Sequence, residues 1–135
     1  MLPGGIDGSL TPDQIKDSVA YHPFMLNVAE PANPTKEQAA RFRAKLSPAM
    51  LNDAALAGLA PILARYRTQQ QALEKTFVSL TGPDVPLKYE AQRDLLTEST
   101  MQEVKKTLGG TWARLDAVVQ AEKRRMVVFP YPAMK

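Results

Sequence analysis

The sequence predicts an all-α fold: a small helical bundle with a long helical hairpin, a packed C-terminal helix and extended terminal arms. Apolar residues recur at helical spacing, capping residues and prolines mark helix ends, and the middle of the chain lacks the two-residue alternation of a half-buried strand. With 135 residues, 44% of them hydrophobic, we expect one domain spanning residues 1–135. Within it, residues 1–10 form an N-terminal arm and residues 127–135 an extended tail.

Capping signatures open the first predicted helices. The Thr-Pro-Asp-Gln sequence at 11–14 places a cap before a proline at the first helical position. Pro23 lacks an amide hydrogen, so we expect a kink or a break there. The Thr-Lys-Glu-Gln sequence at 35–38 repeats the capping box. It begins a helix that runs to about Leu46, with a short turn after it at Ser47.

The longest predicted helix begins at Asn52 or Asp53 and bends at Pro61. Its apolar residues alternate spacings of three and four, with Gln70 the one polar member of the series. These residues are Leu56, Leu59, Leu63, Tyr66, Leu73, Phe77 and Leu80. A turn at 81–86 leads to a helix from about 87 to 108, which we expect to bury Leu87, Ala91, Leu95, Met101, Val104 and Leu108.

A third segment closes the predicted core. Gly109 and Gly110 end the preceding helix, because glycine readily takes a positive φ, and Thr111 caps the next one. The inner face of this last helix is Trp112, Leu115, Val119 and Met126. We predict that Leu56, Leu59, Leu63, Leu73 and Phe77 face Leu95, Met101, Leu115 and Val119, with Trp112 as a core anchor.

Residue types that carry catalysis or hold cofactors are few. Cysteine is absent, which excludes disulfides and thiolate chemistry, and His22 is the one histidine. A metal site normally needs three or four converging ligands. Glu90 and Asp94 share a helix face, but their basic neighbours favour a solvated, ion-paired surface. We therefore predict that the protein is not an enzyme and has no catalytic residues, cofactor or bound metal.

Charge and hydropathy limit the partners. Lysine and arginine total 17 against 14 acidic residues, a nearly balanced net charge of +3. The basic clusters at 41–45 and 123–125 lie at predicted helix C-termini, where the helix dipole favours cations. We therefore do not expect a nucleic-acid partner. No apolar run reaches the ~20 residues of a membrane span, so we expect none.

The C-terminal tail is the predicted partner-binding segment. Its apolar residues are punctuated by prolines, so it cannot continue a helix, and an extended peptide of this kind can lie in a hydrophobic groove. The residues concerned are Val127, Val128, Phe129, Tyr131 and Met134. The partner is another protein or a second copy of the chain. The sequence leaves open whether the arms dock on their own domain or on a neighbour.

Two resemblances bear on function. The Leu-Thr-Pro-Asp-Gln segment at 10–14 resembles the Leu-Thr-x-x-Gln motif of Spy-like periplasmic proteins, all-helical chaperones that act without nucleotide. The segments 10–15, 17–21, 91–96 and 112–126 are together similar to a set of uncharacterised exported bacterial helical proteins. The resemblance implies a helical fold and an extracytoplasmic, periplasmic or secreted location, in a mature form without its signal peptide.

Three functions remain open at this stage. The first is a non-enzymatic extracytoplasmic protein that binds other polypeptides, as a Spy-like chaperone or an interaction module. The second is a structural or accessory subunit of a larger assembly, docked through its terminal arms. The third is an intracellular nucleic-acid-binding or regulatory protein that uses the basic helix ends. We favour the first.

Overall fold

The computed structural model describes residues 15–125, together with the backbone of residues 6–7 and 127–128. The predicted all-α bundle is confirmed. Its helices are α1 (Asp17–Val28), α2 (Lys36–Leu46), α3 (Asp53–Val78), α4 (Val85–Leu108) and α5 (Trp112–Lys123). Single 3₁₀ turns at Ser47–Ala49 and Gly109–Thr111 follow α2 and α4, and two short strands, β1 (Ile6–Asp7) and β2 (Val127–Val128), pair with each other.

The two strands join the terminal arms of the chain. They are antiparallel, with Ile6 opposite Val128 and Asp7 opposite Val127. At these positions the backbone of the predicted partner-binding tail meets the N-terminal arm of the same chain. The other tail residues of that prediction, Phe129, Tyr131 and Met134, lie outside the described residues. The cap predicted at 11–14 and the inner-face position of Met126 also lie outside them.

Local sequence signals place the ends of α2 correctly. The backbone amide of Gln38 donates to Thr35 Oγ1 over 3.1 Å, and the Thr35 amide donates to Gln38 Oε1 over 2.9 Å. This reciprocal capping box satisfies two amides that the first helical turn leaves without partners. The helix ends at Leu46, as predicted. In α1 a kink or a break was expected at Pro23; the break does not occur, since the helix continues past the exposed Pro23 to Val28.

Helices α3 and α4 form the long hairpin around which the bundle is built. Asn52 caps α3, its side-chain oxygen accepting from the Ala55 amide over 2.8 Å, and the helix continues through Pro61 as expected. Near the base of the hairpin, Gly58 lets α4 approach closely. A Cβ at this position would lie 3.0 Å from the Thr107 methyl group.

The described part of the chain holds no single helix that is long and apolar enough to cross a membrane. The segment Lys36–Ala49 and helix α3 reach that length and hydropathy only when taken together, and a bend of 115° separates them.

Helix α1 packs against both helices of the hairpin and against α5. The core between them contains side chains from all five helices, including Tyr21, Met25, Phe42, Leu46, Leu59, Leu63, Tyr66, Val104, Leu108, Leu115 and Val119. The predicted core positions Leu56, Leu59 and Leu63 are therefore correct, as are Leu115 and Val119. Leu73, Phe77 and Met101 are only partly buried.

The predicted inner face of the first half of α4 is wrong. Leu87 and Leu95 are 46% and 61% exposed, and Ala91 is also exposed. The buried Val104 is nine positions after Leu95, which at about 100° per residue places them on opposite sides of the helix. Leu80, predicted at the end of the α3 series, is 50% exposed and lies beyond the helix.

Buried threonines occupy the α4 face that packs on the bundle. Thr97 and Thr100 are 0% and 3% exposed, and their hydroxyls donate to the Arg93 and Leu96 carbonyls over 2.8 Å. Because each hydroxyl bonds back onto its own helix, its burial leaves no unsatisfied donor, and the methyl group is free to pack. The buried face in this part of α4 is therefore formed by Thr97 and Thr100, where burial of Leu95 was expected.

In α5, Leu115 and Val119 are buried as predicted, but Trp112 is only partly so. Its ring packs against the core on one side, and the Lys105 ammonium lies 4.7 Å from the ring centroid. Trp112 therefore contributes to the core without being enclosed by it. The predicted cap also differs, since the Thr111 hydroxyl donates backwards to the Leu108 carbonyl over 2.7 Å and does not cap α5.

Candidate protein-binding groove

A surface groove runs between α3 and α4 in the half of the hairpin nearest the turn. We call it the distal groove. Its volume is about 470 Å³, and all its lining residues belong to these two helices. They are Gln69, Ala72, Leu73, Thr76, Gln92, Leu95, Leu96 and Ser99. The groove is thus a seam between two antiparallel helices, with large leucines beside small alanine and serine side chains.

The lining of the distal groove carries no charge, and ion pairs lie beyond both of its ends. Arg65 and Glu103, one helical turn outside Gln69 and Ser99, pair with each other across α3 and α4. At the turn, Lys88 pairs with Asp84 over 3.0 Å. An uncharged strip bounded by charged residues suits an apolar partner surface, because no charge has to be desolvated along the strip.

Exposed apolar side chains are concentrated in the same half of the hairpin. Among the described residues, five large hydrophobic side chains are exposed, and four of them are Val78 (81%), Leu80, Leu87 and Leu95. The fifth, Met50, follows the 3₁₀ turn after α2. Isolated exposed apolar residues are common. Of these five, Leu95 lines the distal groove, so it is the exposed apolar side chain that a partner in the groove would contact.

The side of the hairpin toward α1 is held by a buried polar network. His22 Nδ1 lies 2.6 Å from the Tyr66 hydroxyl, which lies 2.7 Å from Thr97 Oγ1. Nearby, the Gln70 side chain, 1% exposed, donates from Nε2 to the Tyr89 hydroxyl over 2.6 Å. Burial and the neighbouring Arg93 lower the pKa of His22 to about 4, while burial raises the pKa of Tyr66 to about 12. His22 is therefore neutral at pH 7.

A second polar network joins α1 to α5. The Tyr21 hydroxyl donates to Asp116 Oδ1 over 2.7 Å, and Lys123 Nζ donates to Asp17 Oδ1 over 2.6 Å. Burial raises the pKa of Tyr21, and the hydrogen bond from Lys123 lowers that of Asp17. Lys123 itself is only 5% exposed. These perturbed groups are all bonded to side chains of another helix, so their evident role is to hold α1 in place.

The basic clusters noted in the sequence are engaged within the fold. Arg43 pairs with Asp53 over 2.6 Å, Lys45 donates to the Asn27 carbonyl over 2.6 Å, and Arg41 lies 3.7 Å from Glu30. In the second cluster Lys123 is the buried partner of Asp17. Within residues 15–125, no three histidine, aspartate or glutamate side chains come together in a way that could hold a metal ion.

No protein-family model, curated protein or solved structure matches the chain. Sequence reasoning placed Leu95 in the core and so missed the distal groove. One signal in the sequence was available: the predicted α4 series steps by six from Leu95 to Met101, which breaks the spacing of three and four.

Proposed function

We propose that the chain is a non-enzymatic, polypeptide-binding helical protein that receives an apolar helix of its partner in the distal groove. The observation that carries this proposal is the exposed Leu95 beside an uncharged groove between two helices. A partner helix with an uncharged apolar stripe fits such a seam by placing its side chains among Leu73, Leu95 and Leu96. This is the helix-in-groove mode of recognition.

The rigidity of the hairpin supports the proposal. Tyr66 is hydrogen-bonded to Thr97 and Gln70 to Tyr89, so these bonds join α3 to α4, the two helices that form the distal groove. We therefore expect the groove to keep its width without a partner. A preformed groove loses less conformational entropy on binding than a groove that must be assembled. As part of the proposal we place the protein outside the cytoplasm, on the basis of its resemblance to exported helical proteins and to Spy-like chaperones.

The two other functions have less support. Docking through the terminal arms must compete with the pairing of Ile6–Asp7 with Val127–Val128 in the same chain. A phosphate-binding role for the basic clusters must compete with their pairing to Asp17, Glu30 and Asp53. We therefore advance only the polypeptide-binding function.

The test is titration of the full-length protein with a fluorescently labelled amphipathic peptide that carries a leucine stripe and no charge on that face. We expect saturable binding, and amide chemical-shift changes confined to residues around the distal groove. Leu95→Glu should weaken binding at least ~tenfold, because it places a charge in the contact. Met50→Glu is the matched control, since Met50 is 72% exposed, somewhat more than Leu95, and lies outside the groove. Equal binding by both variants, or no binding by the parent protein, would contradict the proposal.

A further inference from the structure

A second concave site lies at the other end of α3, between the α1–α2 loop, α2 and the first half of α3. We call it the α2–α3 cleft. Its volume is about 230 Å³, and its walls are mostly apolar, with Phe42, Leu56 and Pro61 among them. It shares no lining residue with the distal groove. Pockets of ~300–1,000 Å³ hold drug-sized ligands, so this cleft suits a smaller molecule.

Small side chains create the cleft. Ala39 of α2 faces Ala57, Ala60 and Ala64 of α3 across it, so the two helices leave space that larger residues would fill. Prolines of the α1–α2 loop close one side. Because a proline ring and an alanine methyl offer no hydrogen bonds, these walls suit a hydrocarbon chain.

The polar groups of the α2–α3 cleft differ in how fully they are paired. Arg43 and Asp53 bind each other over 2.6 Å, and both side chains are largely exposed. The Glu30 side chain is only 11% exposed, and among residues 15–125 its paired cation is Arg41, whose Nε is 3.7 Å away, too far for a hydrogen bond. A carboxylate accepts about four hydrogen bonds. Glu30 therefore contributes a carboxylate that is ion-paired with Arg41 without a hydrogen bond to it, and the Arg43–Asp53 pair is the other charged part of an otherwise apolar lining.

We propose that the α2–α3 cleft binds a small primary alkylamine in its ammonium form. The alkyl chain lies against Phe42, Leu56 and the alanines, and the ammonium group donates to the Glu30 carboxylate. A carboxylate or phosphate ligand would be repelled by Glu30. A neutral hydrocarbon would cover that carboxylate without supplying a donor, which costs free energy. The ligand is thus chosen by an apolar wall and one acceptor.

The test is calorimetric titration of the intact protein with n-hexylammonium, compared with 1-hexanol and hexanoate. We expect n-hexylammonium to bind with the highest affinity and hexanoate not to bind. Glu30→Gln should weaken n-hexylammonium binding at least ~tenfold, because it removes the charge-assisted hydrogen bond. The control is Glu37→Gln, which removes an exposed carboxylate of α2 outside the cleft.

A second variant tests the apolar wall. Ala60→Leu should fill the α2–α3 cleft and abolish binding, while Ala121→Leu, at an exposed position of α5, should leave it unchanged. Circular dichroism checks that each variant is folded. Equal affinity for 1-hexanol, or full binding by Glu30→Gln, would overturn the ammonium assignment. A peptide with blocked termini and one lysine that binds more tightly than n-hexylammonium would overturn the assignment to a free amine. If the parent protein binds none of these ligands, the site itself is overturned.

Discussion

The phenol oxygen of Tyr66 lies 2.6 Å from Nδ1 of His22 and so joins α1 to the long hairpin. On its other side this oxygen is 2.7 Å from Thr97 Oγ1, whose one proton is donated to the Arg93 carbonyl. With the Thr97 proton on that carbonyl, we expect Tyr66 to donate to Thr97 and Nδ1 of His22 to donate to Tyr66. This direction predicts the Nδ1-protonated tautomer of His22.

The tautomer of His22 can be measured directly. We expect nitrogen and carbon chemical shifts of its ring at pH 7 to show a neutral imidazole protonated at Nδ1. Tyr66→Phe removes the acceptor, so the ring should lose this preference, and the free energy of unfolding should fall by about 1–2 kcal/mol. An Nε2-protonated ring in the parent protein would refute the assigned direction.

Stability should decrease at mildly acidic pH because of His22. Its pKa is about 4 in the folded chain, against an ordinary value of 6.5, so between these values the unfolded state takes up a proton that the folded state does not. The stabilisation of the fold by the neutral His22 ring is fully present above pH 6.5 and is lost as the pH falls from 6.5 to 4. One pKa unit corresponds to about 1.4 kcal/mol, and partial solvent access reduces this, so we expect a loss of about 1–2 kcal/mol.

Urea unfolding of the parent protein and of His22→Gln across this pH range provides the measurement. Subtracting the two curves removes the titration of the carboxylates, which is common to both. The difference in unfolding free energy, parent protein minus His22→Gln, should fall as the pH is lowered from 6.5 to 4 and be constant above pH 7. A flat difference throughout would mean that His22 is protonated equally well in both states.

Paired alanine substitutions test the orientation of the hairpin helices. Leu63→Ala should cost about 2–5 kcal/mol, because it removes a side chain that is 2% exposed and leaves a cavity. Leu95→Ala should change the free energy of unfolding by less than ~0.5 kcal/mol, since that side chain is mostly in solvent. Comparable costs in denaturant unfolding would place Leu95 in the core after all.

The Lys123–Asp17 pair should respond asymmetrically to substitution. The Lys123 side chain is 6% exposed and the Asp17 side chain 55%. Asp17→Asn leaves the buried Lys123 ammonium without its negatively charged partner, so the free energy of unfolding should fall by about 1–3 kcal/mol. Lys123→Met leaves a carboxylate that water can solvate, so it should cost less, and the double variant should recover most of the Asp17→Asn loss. Thermal unfolding of the three variants checks the order, which the opposite ranking would contradict.

The glycine pair after α4 provides a matched test of backbone conformation. Gly109 has a φ of +56°, and Gly110 is not in the positive-φ region. A Cβ would meet no atom within 4 Å at either position, so packing does not distinguish them. Gly109→Ala should cost about 1–3 kcal/mol through backbone strain alone, because φ 56° with ψ −130° lies outside the left-handed helical region and favours glycine. Gly110→Ala should be neutral or slightly stabilising in the same unfolding assay, and equal costs would rule out the strain explanation.

Sequence patterns located the helix ends that depend on neighbouring residues. The capping box at Thr35 and Gln38, the Asn52 cap and the positive φ of Gly109 follow from side chains within four residues of the terminus. The α3 core positions through Leu63 also followed, because one unbroken apolar series fixes which face of a helix is buried. Such local signals need no knowledge of the neighbouring elements.

The inner face of α4 and the distal groove were decided by the tertiary structure. In α4 the exposed Leu95 and the buried Thr97 and Thr100 lie on different faces, and the position of α1, with His22 bonded to Tyr66 and Tyr66 to Thr97, determines which face is covered. Residue patterns alone predicted the helical class, most helix ends and the first half of the α3 core. The packing of α1 decided which side of the hairpin is enclosed and which is left for a partner, because a hydrogen bond between distant residues exists only once their helices have met.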